Sequence, residues 1–171
     1  RYVALSISTG NPPEDAYWQY LGDGLQLADY LGLHEYGMHT MTLDGWHLLR
    51  YRKAVAALKK YGFRVPPVFI TETGIDFRGN PNTDGWRVAL GGDEAAYMAQ
   101  LAAYDTELQK DPYVLGACPF TWMPNNWPSF EIYEAMSARV VSHIRALGAF
   151  NPWGASAPPV PQPEVPVTNH E

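Results

Sequence analysis

The stretch V65-P-P-V-F-I-T-E-T-G-I-D76 decides the reading of this chain. Val68, Phe69 and Ile70 are as apolar as a buried strand. Glu72 then stands between two threonines, immediately before Gly74. Burying a carboxylate at the end of an apolar strand is costly unless a partner satisfies it or a reaction uses it. Either Glu72 pairs with a base, Arg50 or Arg52 being the nearest basic candidates, or it faces a site.

Outward from that strand, one unit occurs four times: a short apolar run followed by an amphipathic stretch of helical period. YVALSIST precedes PEDAYWQYLGDGLQLAD, and YLGLHEYG precedes GWHLLRYRKAVAALKKYG. PVFITETG precedes EAAYMAQLAAYDTELQKD, and LGACPFTWM precedes FEIYEAMSARVVSHIRALG. Gly62 and Gly148 stand where C-terminal helix caps are expected, and Asp111-Pro112 closes the third helix. The alternation predicts an α/β fold with parallel strands. Four such units make either a small open sheet or half of an eight-stranded barrel. Polar residues gather at the C-terminal end of every strand: Ser8 to Asn11, His34 to Tyr36, Glu72 to Gly74, and Thr121 to Met123. Barrel sites are assembled from several strand ends in this way, so the (β/α)8 TIM-barrel type is expected, this chain supplying the last four units. The long Gly- and Asn-rich loop from 77 to 92 is expected to overhang the same end.

Residues 1–150 form the expected barrel half. Residues 151–171, with six prolines in 21 positions, read as an extended Pro-rich linker or tail leading toward a further domain. The opening at Arg1, without a leader, reads as a piece of a longer protein.

Of the 171 residues, 46% are hydrophobic and the net charge is −6, which argues for a globular chain and against a nucleic-acid partner. The basic cluster Arg50, Arg52, Lys53, Lys59 and Lys60 is spaced as the solvated face of one helix. A single cysteine excludes an internal disulfide. No run is long enough for a membrane span. His34, Glu35, His39, Asp44 and His47 lie close in sequence but lack any strong metal-ligand spacing, so no metal and no cofactor are expected.

Strand parity sorts the candidate site residues. Val68, Ile70 and Glu72 are expected on one face, with Glu72 the topmost residue pointing into the barrel. In YLGLHEYG, His34 and Tyr36 share a face opposite Leu31 and Leu33, and Glu35 goes with the leucines. Neighbouring strands lie about 4.8 Å apart, so His34 or Tyr36 can reach Glu72. Such donors favour the ionised form of a carboxylate, as a glycosidase nucleophile requires. Trp122, Trp127, Trp46 and Trp86 are expected near the same end, where flat rings stack on sugars.

YLGLHEYG, LLRYRKAV, VPPVFITETGID and YVLGACPFTW together resemble the C-terminal half of a TIM-barrel glycoside hydrolase of the large retaining superfamily with catalytic glutamates at the ends of strands four and seven. The resemblance spans about residues 1 to 150. It implies Glu72 as nucleophile, His34 and Tyr36 as its support, and Trp122 as the floor of a sugar subsite. Trp127, Trp46, Trp86 and Asn11 are further candidates for substrate contact. The family's acid/base is a glutamate in an Asn-Glu pair, and no Asn-Glu occurs here. The acid/base is therefore expected upstream. Glu35 is the alternative, which would need about 5–5.5 Å between the two carboxyl groups for retention. The function implied is a retaining O-glycosyl hydrolase acting on an oligo- or polysaccharide. A non-catalytic glycan-binding or structural barrel module is the other reading. Its implied partners are the carbohydrate and the missing N-terminal half-barrel, and the implied location is extracellular or at the cell surface.

Overall fold

A computed structural model describes residues 2–122 and 126–147. Met123, the expected cap at Gly148 and the Pro-rich segment 151–171 lie outside the described residues. The order is β1 (Val3–Ile7), α1 (Tyr17–Leu25), β2 (Tyr30–Gly37), α2 (Tyr51–Lys60), β3 (Val68–Ile75), α3 (Trp86–Ala89), α4 (Glu94–Leu108), β4 (Val114–Pro119) and α5 (Glu134–Ala146). All four strands run parallel in the order β1-β2-β3-β4, so each β/α unit adds its strand beside the previous one. The α/β alternation read from the sequence is therefore present. The loop after β3 also holds the one-turn helix α3, which the sequence pattern did not announce.

The helices bury one stripe each. Tyr51, Ala54, Val55 and Leu58 in α2, and Tyr97, Leu101, Tyr104 and Leu108 in α4, recur at three- and four-residue spacing. Asp93 caps α4 by accepting the Ala96 N–H at 2.9 Å. These stripes join Trp18 and Leu25 of α1, Met136 and Val140 of α5, and Leu31, Leu33, Val68 and Ile70 of the sheet in one apolar cluster. Each such aliphatic side chain contributes about 1.5–3 kcal/mol when removed from water. The four longer helices thus share one face of the sheet. On the other face Val3, in register with Tyr30, is 47% exposed, and Phe69, in register with Gly32, is only half-buried.

One expectation about β3 is overturned. Leu31 pairs with Val68 and Leu33 with Ile70, but the next pair is His34 with Glu72. Thr71 is skipped, its hydroxyl donating to the Leu33 carbonyl at 3.3 Å. Val68 and Ile70 consequently lie on the helix face, fully buried, and the bulge turns Glu72 to the opposite face. Gly74 follows at a φ of 153°, and a Cβ there would come within 2.8 Å of the Tyr97 hydroxyl. Strain and crowding both exclude a side chain at that position.

The basic cluster is also not a simple solvated face. Arg50 is buried and donates to the carbonyls of Asn11, Trp46 and Pro12. Arg52 pairs with Asp111 at 2.7 Å and Glu107 at 3.2 Å, tying α2 to the end of α4 and the turn after it.

Candidate active site at the carboxyl ends of the strands

The strand ends open onto a cleft of about 530 Å³. Its walls come from every unit: Ser8 and Thr9 after β1, His34 and Tyr36 at the end of β2, Glu72 at the end of β3, and Phe120, Trp127 and Phe130 after β4. Met38 and His47 enter from the loop after β2, and Asp76, Phe77 and Arg78 from the loop after β3. The overhang expected of residues 77–92 is thus met at its first residues.

Glu72 is the centre of this arrangement. The Tyr36 hydroxyl donates to Glu72 Oε2 at 2.9 Å, and His34 Nδ1 lies 3.3 Å from the same oxygen. The Glu72 side chain is 36% exposed, so its other oxygen is available to the cleft. Among the described residues no arginine is paired with it: Arg50 is held by backbone carbonyls and Arg52 by Asp111 and Glu107. Neither Arg50 nor Arg52 is therefore the partner of Glu72, and the carboxylate faces the cleft. Burial, and after it the adjacent Glu72 charge, push the Tyr36 phenol far above its usual range, so Tyr36 keeps its proton and remains a donor. Thr9 fixes the strand that carries this pair: its hydroxyl donates to the His34 carbonyl and accepts from the Tyr36 N–H, both at 3.1 Å.

Glu35 lies on the opposite face, completely buried. It accepts from the Tyr51 N–H at 2.7 Å, the Leu49 N–H at 2.8 Å and the Tyr104 hydroxyl at 2.6 Å. Burial raises its carboxyl to about 7, although these hydrogen bonds and the nearby Arg50 pull it down. The geometry removes it as acid/base: it stitches β2 to the start of α2 and to α4 and does not reach the cleft.

The tryptophans separate. Trp127 lines the cleft and meets Phe120 and Phe130 edge-on at 5.4 and 5.3 Å between centroids. Trp86 is a correction: it is fully buried, stacked on Tyr97 at 4.7 Å, with its indole N–H donating to the Phe130 carbonyl. Trp46 lies in a separate recess of about 70 Å³ with Asn11, and its ring is covered by Arg50 and Lys53 at 4.4 and 4.7 Å. Asn11 turns its side chain back to Ser8 and Thr9. Trp122 is 45% exposed, bridged to Ile132, and Phe120 rather than Trp122 is the β4-end ring of the cleft wall.

Three groups escaped the sequence reading as site residues. Asp76 continues the face of Glu72 and Gly74 at period two, a signal the sequence did carry. It accepts the Gly79 N–H at 2.6 Å, and its carboxyl is raised, first by burial and further by the charges of Asp84 and Glu72, against the hydrogen bonds from Gly79 and Arg78. Thr9 was visible only as part of a polar strand end. Asp44 and His47 were weighed only as metal ligands, and among the described residues no group of three or more His, Cys, Asp or Glu is placed to hold a metal. Nor is any described helix long and apolar enough to cross a membrane.

The site combines an oriented carboxylate, a phenol and an imidazole on one of its oxygens, and an aromatic wall. Such a set can place a nucleophilic oxygen against a ring-shaped, hydroxyl-rich ligand. No protein-family model matches the chain, and neither a curated protein nor a solved structure matches it, so the functional reading stands on this geometry.

Proposed function

We propose that this chain carries the nucleophile half of a retaining O-glycosyl hydrolase acting on an oligo- or polysaccharide. The observation that carries the reading is Glu72 at a strand's carboxyl end, gripped on one oxygen by Tyr36 and His34 and open to an aromatic-walled cleft on the other. Glu72 attacks the anomeric carbon as the bond from that carbon to the leaving oxygen breaks, and an acid protonates that oxygen. Water, giving a proton to the residue that acted as acid in the first step, then takes the sugar from Glu72, which returns as the carboxylate. Tyr36 and His34 hold the attacking group in one orientation, which is how positioning lowers such a barrier. Trp127 and Phe120 offer apolar faces and edges to the sugar.

The architecture that fits this reading is a (β/α)8 barrel of which these four strands are the last four. Support comes from strictly sequential parallel order, helices on one face, and a second face with half-exposed Val3 and Phe69. In that barrel the acid/base comes from a strand outside these residues, since Glu35 is turned into the helix layer.

The test is Glu72→Gln in the full-length protein. The amide is nearly isosteric but cannot attack, so hydrolysis is lost even for activated aryl glycosides, which need no acid, while the melting temperature stays near that of wild type. A well-folded variant that turns over an activated glycoside at the parental rate refutes the assignment. Retained glycan binding with no turnover by the wild type would instead make the chain a binding module.

A further inference from the structure

The loop after β2 holds a second chemical unit at the cleft that the nucleophile does not use. Asp44 Oδ1 accepts the backbone N–H groups of both Trp46 and His47 at 2.8 Å, and its Oδ2 lies 2.8 Å from His47 Nδ1. Burial works to raise the Asp44 carboxyl, but the hydrogen bonds from His47 and Trp46 outweigh it and hold it at about 2. Asp44 is therefore ionised at neutral pH and can only accept, which obliges Nδ1 to carry the proton. In the neutral ring Nε2 is then a bare lone pair, and the contact that holds the ring among the described residues is through Nδ1 alone. His47 lines the same cleft as Glu72, with its side chain 29% exposed.

We infer that His47, fixed in one tautomer by Asp44, accepts a hydrogen bond from a substrate hydroxyl in the cleft. It is a specificity-determining contact for a polyhydroxylated ligand. This rests on the glycosidase reading above. Around it, the Tyr36 hydroxyl and His34 Nδ1 are turned to Glu72, and one Asp76 oxygen takes the Gly79 N–H. His47 Nε2 is a nitrogen acceptor that the Glu72 cluster does not use, and a hydroxyl that meets it loses its partner when the ring is removed.

The geometry supplies an unusual control. In Asp44→Asn the amide oxygen must stay on the Trp46 and His47 N–H groups, so the amide NH₂ faces His47 Nδ1. That donor forces Nδ1 to become the acceptor and moves the proton to Nε2, turning the cleft-side acceptor into a donor without removing a side chain. His47→Ala removes the group altogether.

The experiment uses the full-length protein and a panel of dinitrophenyl glycosides, each parent sugar beside its monodeoxy forms, with nitrogen NMR of the His47 ring. Wild type is expected to show the Nδ1–H tautomer and Asp44→Asn the Nε2–H tautomer. Both Asp44→Asn and His47→Ala are expected to lower kcat/KM about tenfold on the parent sugar, the loss of one hydrogen bond, and to change it little on the one deoxy sugar that lacks the contacted hydroxyl. An Nε2–H tautomer in wild type, an unchanged kcat/KM in His47→Ala, or an equal loss on every sugar overturns the inference. If that happens while wild type turns over the panel and Glu72→Gln does not, the inference alone has failed. If wild type turns over no glycoside, the glycosidase reading has failed and the sugar contact falls with it.

Discussion

Tyr36→Phe removes one oxygen and leaves the ring that packs edge-on against Phe120 at 6.4 Å. The lost interaction is a hydrogen bond from a phenol that is only 7% exposed to a carboxylate 2.9 Å away. Hydrogen bonds to charged groups are worth about 1.5–3 kcal/mol, equivalent to about 10- to 150-fold in rate if the bond is needed at the transition state. Two features favour the lower end. His34 still touches the same oxygen at 3.3 Å, and the Glu72 side chain is 36% exposed, so water can take the vacated position. The variant is therefore expected to lose about 10- to 30-fold in kcat on an activated aryl glycoside, with KM and melting temperature nearly unchanged. Adding His34→Ala should cost more than the sum of the two single losses, because each residue backs up the other. Unaltered turnover in Tyr36→Phe would mean that the contact with Glu72 has no part in the reaction, and the support role would be wrong.

Two further outcomes follow from buried groups. Glu35 keeps its proton in the fold up to about pH 7, whereas the unfolded chain releases it near 4.5, so its contribution to stability is greatest at acid pH and is lost as pH rises through that window. The loss amounts to about 3 kcal/mol, and the melting temperature of wild type relative to Glu35→Gln should fall between pH 4.5 and 7; a constant difference would contradict the assignment. Trp86→Ala should destabilise by about 3–5 kcal/mol because the ring is fully buried on Tyr97, whereas Trp127→Ala should raise KM and barely move the melting temperature; the reverse pattern would exchange their roles.

Much of the site was legible because β2 is regular. Leu31, Leu33 and Glu35 face the helices and His34 and Tyr36 the cleft, as alternation requires, so the support of Glu72 followed from parity. Glu72 reached its face by a different route from the one expected. Parity placed Val68, Ile70 and Glu72 together, and only the skipped Thr71 separates them, an extra residue that leaves no mark in a strand-like sequence. Trp86 failed for a related reason. Its segment reads as polar loop, yet α3 folds back and inserts the ring beneath the Phe130 carbonyl, a contact 44 residues away in sequence. Arg50 had the spacing of a solvated helix residue, but it precedes α2 and is consumed by the carbonyls of Asn11, Pro12 and Trp46. Asp44 and His47 were close enough to notice, and their three-residue spacing is that of a capping aspartate. Their meaning depended on the ring bordering the same cleft as Glu72.

The most direct test is to trap the covalent intermediate. An activated glycoside with fluorine beside the anomeric carbon slows both steps, and its good leaving group lets the first proceed faster than the second, so the sugar accumulates on the nucleophile. Mass spectrometry of the full-length protein after this treatment should show one added fluorosugar, and peptide mapping should place it on Glu72. Glu72→Gln should gain nothing. A stable label on any other side chain, or hydrolysis by wild type that never yields a labelled peptide containing Glu72, would contradict the claim that this carboxylate is the nucleophile.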